Sequence, residues 1–178
     1  AIKEETGLPV IGLIKIQYEG YDAYITPTMK EVDELVEAGA DIVALDCTIR
    51  KRGDGTTINE FIAQIKEKYP DLMLMADVSN YEEGVNAWKC GVDIVGTTMS
   101  GYTPYTEAKD GPDYELMSHL AADLDIPVIG EGKIHSPEEA VKALSTGVWA
   151  IVVGGAITRP LEIAQRFMKA IAKAKGEA

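Results

Sequence analysis

Four charged side chains stand directly at the ends of short apolar runs. Lys15 follows "VIGLI", Asp46 follows "IVAL", Asp77 follows "LMLMA" and Glu131 follows "PVIG". An amine and several carboxyl groups brought together can take a proton from carbon and return it, provided one of them titrates near neutral pH. A charge that closes an apolar run must be solvated, paired or functional. Glu131 is the hardest of the four to explain as structure. It sits between Gly130 and Gly132, which remove steric cover and let something approach the backbone closely. A second constellation is "VVGGAITRP", where Gly154 and Gly155 close an apolar run and Arg159 follows. Exposed N–H groups at such glycines can cradle an oxyanion, and Gly132 supplies the neighbouring loop.

Each residue also has a plainer reading. Lys15 could be a snorkelling surface lysine, Asp46 a cap for the following loop, and Asp77 an N-cap for "VSNYEE" or a partner for Lys15. Arg50, Lys51 and Arg52 could form an ordinary solvated loop, and the two glycines a tight turn without a ligand. His119 and His135 are read as bystanders.

The elements that would position these groups follow a regular rhythm. Strands are expected at Val10–Lys15, Ile42–Asp46, Leu72–Asp77, Ile94–Thr97, Val128–Gly130 and Ala150–Val153. Helices are expected at Met29–Ala38, Ile58–Tyr69, Tyr81–Cys90, Tyr114–Asp123, Pro137–Thr146 and Leu161–Lys173. Ser79-Asn80 and "SPEEA" mark helix starts, and Gly39, Gly91 and Gly147 mark helix ends. Those glycines open an internal repeat, "GADIVALD", "GVDIVGTT" and "GVWAIVVGG", and "LPVIGLIK" matches "IPVIGEGK". Runs that are apolar throughout belong to strands buried on both faces, as in parallel sheets. Alternating βα units then imply a (β/α) barrel or a doubly wound sheet. In a barrel the chemistry gathers at the C-terminal ends of the strands, where these charged groups lie.

The 178 residues, 46% hydrophobic and 26% charged, suffice for one domain with a sizeable core. A formal charge of −12 lacks the basic face a nucleic-acid partner needs, yet a few local cations could still hold an anionic small substrate. No apolar run approaches the ~20 residues of a membrane span. No GxGxxG follows the first strand, so a dinucleotide site is poorly supported. Cys47 and Cys90 have no metal-ligand or CxxC spacing and read as buried thiols in a reducing cytosol.

Taken together, "VIGLIKIQY", "YITPTMKEVDELVEAGADIVALDCTIRKR", "LMADVSNYEEG", "DIVGTTMSGYT", "PVIGEGKIHSPEEA" and "VVGGAITRP" resemble the N-acetylmannosamine-6-phosphate 2-epimerase family through nearly the whole chain. The resemblance implies a (β/α)8 TIM barrel of the phosphate-binding type. It implies an isomerase that interconverts N-acetylmannosamine 6-phosphate and N-acetylglucosamine 6-phosphate in sialic acid breakdown. It implies no redox cofactor, no metal and a cytoplasmic location, with a phosphosugar as partner, no nucleic acid or membrane, and a homodimer left open. Carried over by motif, Lys15 becomes the base and Glu131 the second catalytic group. Asp77 contacts the sugar or orients the lysine, Arg159 reaches the phosphate, and Gly132, Gly154 and Gly155 form the phosphate cradle. The family often has arginine where this chain has Ile16 and Lys133, which removes no proposed catalytic atom.

By the same resemblance the chain starts in the helix before the third barrel strand. The first two strands, roughly 50 residues of a fold of typically ~250, have no counterpart, nor do a glutamine and an arginine they carry. The expectation is therefore a single domain, residues 1–178, N-terminally incomplete, with Val10–Lys15 and Ala150–Val153 as two open edges and poor turnover by itself.

The chemistry can also be argued from the residues. Inverting C2 beside a carbonyl needs a base on one face and a proton donor on the other. A lysine deep in a barrel mouth would be desolvated, which frees its amine. The alternatives are a Schiff-base lyase or synthase on a phosphosugar using Lys15, and a non-catalytic phosphosugar-binding barrel.

Overall fold

A computed structural model describes residues 1–176. In chain order the elements are α1 (Ile2–Thr6), β1 (Ile11–Gly12), α2 (Met29–Glu37), β2 (Ile42–Asp46), α3 (Ile58–Lys68), β3 (Met73–Asp77) and α4 (Tyr81–Lys89). They continue with β4 (Ile94–Gly96), α5 (Tyr114–Asp123), β5 (Val128–Glu131), α6 (Pro137–Leu144), β6 (Ala150–Val152), α7 (Gly155–Thr158) and α8 (Pro160–Lys175). The six strands form one parallel sheet in the order β1-β2-β3-β4-β5-β6, curled into a partial barrel with β1 and β6 as its two edges.

Side chains alternate across the pleat, and this alternation sorts the core into two layers. Val43, Leu45, Leu74, Ala76, Val95 and Val128 point outward and pack with helix residues such as Val32, Ile62, Met117 and Leu120. Ile42, Ala44, Met75, Ile94 and Ile129 form a separate cluster on the inner face. Counting by twos from that inner cluster puts Asp46, Asp77 and Glu131 on the inner side of their strands. The register Ile11↔Ile42 gives Ile11, Leu13 and Lys15 the same phase.

The helices begin where side chains can satisfy free N–H groups. Thr28, Thr57 and Ser136 each make a reciprocal capping box, with Glu31, Glu60 and Glu139 respectively. Ser136→Ala is expected to cost about 1 kcal/mol, read as a lower denaturation midpoint at unchanged denaturant slope. Gly39, Gly91 and Gly147 follow helix ends with φ of +80°, +86° and +96°. At Gly39 and Gly91 an added Cβ would meet nothing within 4 Å, so backbone conformation alone asks for glycine.

Two expectations change. The first strand is shorter than Val10–Lys15, because the chain turns back on itself after β1. Ile16 N–H donates to the Tyr24 carbonyl (3.0 Å), Thr26 N–H to the Ile14 carbonyl (2.7 Å) and Asp46 N–H to the Ile25 carbonyl (2.9 Å). Residues 24–26 thus take the place beside the end of β2 that a longer β1 would occupy, and Lys15 makes only an isolated antiparallel bridge to Ile25. The segment Arg50–Arg52 is solvated only at Lys51. Arg52 is buried, donates to the carbonyls of Pro27 (2.6 Å) and Asp46 (2.7 Å), and lies over the Phe61 ring. Both cysteines are free thiols, Cys47 buried and Cys90 half-buried.

Candidate active site

A cavity of about 350 Å³ opens at the C-terminal ends of the strands. Lys15, Glu131, Gly132, Gly154, Gly155 and Arg159 all line it, so the chain brings together six of the seven candidate residues. Asp77 lies just behind the wall, bonded to Thr98, which does line the cavity.

Glu131 closes β5 on its inner face, half-buried. Its backbone is pinned to the next strand by Thr97, whose hydroxyl donates to the Glu131 carbonyl (2.8 Å) and accepts from its N–H (3.0 Å). Burial pushes its carboxyl up from the usual carboxylate range, while the Thr98 hydroxyl and Lys15 oppose that. The two glycines that flank Glu131 sit in different surroundings. A Cβ on Gly130 would come within 3.1 Å of Met117 Sδ and 3.3 Å of Val148 Cγ2, so its small size lets the helix layer pack against β5. Gly132 turns at φ +106°, and a Cβ there would make only ordinary contacts, 3.8 Å from the carbonyl oxygens of Thr97 and Thr98. Lys133 follows in the left-handed region at φ +59°, a costly conformation for a residue with a side chain, and its Nζ lies 4.9 Å from the Tyr102 ring centroid.

Asp77 is 1% exposed. Its Oδ1 accepts from Thr98 Oγ1 at 2.5 Å, and its Oδ2 is buried without a partner. Burial is the main cause that pushes its carboxyl up to about 8; the neighbouring carboxylates of Glu131 and Asp46 add to this, and Thr98 and Lys15 work against it. The N-cap of α4 is Asn80, which leaves Asp77 free of that duty.

Asp46 is occupied by structure. Its Oδ1 accepts from the N–H and hydroxyl of Thr48, and its Oδ2 from Tyr24 N–H and the Arg50 guanidinium. The loop-capping reading of Asp46 therefore describes it.

Lys15 is exposed, against the expectation of a desolvated amine. It stands on the continuation of the edge strand β1, and among the described residues no strand lies beyond it.

On the opposite side, α7 begins at Gly155 after Gly154, with no side-chain cap. The first intrahelical bonds start at Ile157 N–H, which leaves the N–H groups of Gly155 and Ala156 for another acceptor. Arg159 is exposed and paired with Glu162 at 2.7 Å. Glu162 also lies against the glycines, since a Cβ on Gly155 would come within 3.0 Å of its Oε2.

Sequence reading missed several lining residues: Tyr24, Thr98, Tyr102, Glu162 and His135, the last taken as a bystander. The run "GTTMSGYT" held the signal for Thr97 and Thr98, two hydroxyls directly after a buried strand. A shallower cleft of about 290 Å³ lies near the starts of α4 and α5, but its Lys109 and Asp113 are paired with each other and none of the charged strand ends reaches it. Among the described residues there is no cluster of His, Cys, Asp or Glu that could hold a metal ion, and no helix long and apolar enough to cross a membrane.

Comparison with known proteins adds to this geometry. Residues 1–173 match the model of a family described as "Putative N-acetylmannosamine-6-phosphate epimerase". A Caldanaerobacter subterraneus protein described as "Putative N-acetylmannosamine-6-phosphate 2-epimerase" is 58% identical over 94% of this chain and 71% of its own length. A Clostridioides difficile protein with the same description is 53% identical over 96% of this chain and 75% of its own. The solved structure of the N-acetylmannosamine-6-phosphate 2-epimerase from Clostridium perfringens superimposes with a TM-score of 0.88 at 48% identity, covering 95% of this chain and 73% of that one.

Proposed function

Since the chain belongs to the N-acetylmannosamine-6-phosphate epimerase family, we propose how its cavity carries out that family's reaction, the interconversion of N-acetylmannosamine 6-phosphate and N-acetylglucosamine 6-phosphate. The observation that carries the proposal is a single cavity lined by Lys15 and Glu131 together with Gly154, Gly155 and Arg159. The open-chain sugar lies with its phosphate at the N–H groups of Gly155 and Ala156 and at Arg159, with Gly132 from the neighbouring loop. That distal grip fixes C2 between Lys15 on one face and Glu131 on the other. One group removes the C2 proton, the adjacent carbonyl takes up the charge as an enolate, and the other group returns a proton to the opposite face. Burial raises the Glu131 carboxyl above the usual carboxylate range, the direction that helps it hold a proton and return it. Asp77, which burial keeps protonated, acts from behind the wall through its bond with Thr98 rather than by touching the sugar. The same reading takes a small phosphosugar and no nucleic acid as partner, a cytoplasmic catabolic role, and leaves a homodimer open as the assembly.

The test is NMR of N-acetylmannosamine 6-phosphate with the protein in D2O. Appearance of the second isomer with deuterium at C2 is expected. Ligand binding without exchange at C2 would leave a phosphosugar-binding barrel, and borohydride trapping of sugar on Lys15 would favour Schiff-base chemistry.

A phosphate that reaches Arg159 must displace Glu162, an anion on the same spot. Glu162→Gln is therefore expected to lower KM for the phosphosugar several-fold with kcat little changed. The effect should shrink as salt is added, because exposed charges are screened within ~10 Å at 0.1 M.

A further inference from the structure

Lys15 stands past the end of the edge strand β1, and the segment that holds its backbone is the returning chain at residues 24–26. Ile16 N–H donates to the Tyr24 carbonyl (3.0 Å) and Thr26 N–H to the Ile14 carbonyl (2.7 Å), so two bonds bracket Lys15 and its antiparallel partner Ile25. A third bond comes from a side chain, with Ile14 N–H donating to Thr26 Oγ1 (3.3 Å). Thr26 thus makes two of the three bonds, both to the residue before Lys15. The return is itself fixed to the end of β2. Asp46 N–H donates to the Ile25 carbonyl (2.9 Å), Tyr24 N–H donates to Asp46 Oδ2 (3.1 Å), and buried Arg52 joins the carbonyls of Pro27 and Asp46.

Thr26 holds this place at φ +45°, fully buried. Its type and its neighbour both oppose that angle. A β-branched residue at positive φ is an outlier, and the residue before a proline, here Pro27, prefers extended backbone. Such a conformation persists only where its surroundings over-determine it, and it gathers at functional sites. Among the described residues only Lys133, which lines the cavity, shares positive φ without being glycine. Glycine would take the same turn without strain, so what threonine brings is the hydroxyl. We propose that Thr26 is a positioning residue of the reaction. Its strained backbone turns one N–H and one hydroxyl onto Ile14, and so sets the direction from which Lys15 enters the cavity. The proposal rests on the reading of Lys15 as a proton-transferring group. A side chain at the end of an inner strand is aimed by ladders on both sides. Lys15 has support on one side, and the Thr26 bonds supply the missing rigidity.

The experiment joins amide hydrogen exchange, read by NMR in the full chain, to steady-state kinetics of Thr26→Gly, Thr26→Val and Thr26→Ser. Thr26→Gly takes the turn without strain and lacks only the side chain, so the comparison stands even if Thr26→Val does not fold. Loss of the hydroxyl is expected to speed exchange at Ile14 and Ile16 about 10-fold more than at Leu74 and Val95, whose exchange follows global opening. In turnover, kcat should fall about 10–100-fold with KM nearly constant, the effect of displacing a reacting group by up to ~1 Å. Thr26→Ser should restore both. Exchange at Ile14 and Ile16 that merely follows Leu74 and Val95 overturns the proposal. A glycine variant with parental kcat per folded chain also overturns it, because Thr26 would then serve the turn alone. A serine variant as slow as the glycine one would show that the hydroxyl is not the agent. The exchange readout needs no catalysis. A parent chain that does not epimerise would therefore count against the proposed function, while local exchange still decides whether Thr26 holds the Lys15 segment.

Discussion

Lys15→Ala is expected to lower kcat by about 10³-fold or more, while Arg159→Ala mainly raises KM. Acid–base groups at the reacting carbon contribute about 10²–10⁴-fold, and a lysine replaced by a methyl group cannot move a proton. Arg159 sits across the cavity beside Gly155, where the proposed pose puts the far end of the substrate. Its loss removes binding that ground state and transition state share, which raises KM with kcat nearly unchanged. The measurement is steady-state kinetics of both variants, joined to C2–H exchange in D2O. Equal loss of kcat in both variants at constant KM would mean that the two roles are wrongly assigned.

The second large effect is on stability. Unfolded, the Asp77 carboxyl ionises near its ordinary 3.8; folded, it keeps its proton to about 8. Between those pH values the folded chain holds a proton that the unfolded chain has released, so stability falls as pH rises through that window. Below it both states are protonated and the penalty vanishes. Asp77→Asn replaces the carboxyl with a neutral group of the same shape, and the variant should be more stable than the parent at pH 8 by a few kcal/mol. About four pH units at ~1.4 kcal/mol each cap the gain near ~6 kcal/mol. At pH 4 the two proteins should differ little. The comparison removes groups common to both, such as Glu131, which is pushed the same way, and Glu31 and Asp113, which are held low by their hydrogen bonds. Denaturation of parent and variant across pH 4–9 is the check, and a constant difference would mean that Asp77 ionises freely in the fold. The gain comes with lost activity, as expected of a residue kept in a costly state for its function.

Much of the framework was visible in local pattern. The bounds of β2 and α5 coincide with the expected Ile42–Asp46 and Tyr114–Asp123, because each is an uninterrupted periodic run between clear end signals. Periodicity showed neither α1 nor α7, which span only 5 and 4 residues, too few for a helical period to register; a helix at the start was implied by the family resemblance alone. The expected β1 ran too long because "VIGLIK" reads as a strand whatever comes after it. What ends the strand is the return of residues 24–26, a contact between segments that no local window contains. The site divides the same way. Lys15 and Glu131 stood out as charges ending apolar runs. Thr98 carried no such contrast, since a threonine after a strand is ordinary until Asp77, 21 residues earlier, is seen 2.5 Å away. Arg52 looked solvated because its acceptors come from Pro27 and Asp46 across a fold in the chain.

The alternation that aims Glu131 inward also limits how this gene can change length. Gly130 faces Met117 and Val148, and Glu131 faces the cavity, one residue apart on the same strand. Inserting or deleting a single residue between Val128 and Glu131 would exchange those directions. The carboxyl would be driven into the helix layer, and the residue preceding it would be presented to the cavity. Every catalytic atom would still be encoded, yet the enzyme would be dead and its packing broken. Two-residue changes would restore the phase and shift the carboxyl by about 6.6 Å along the strand, still far beyond the tolerance of a proton transfer. Length variation between relatives is therefore tolerable in the loops that follow the strands, and the last turn of each strand into its loop is closed to it.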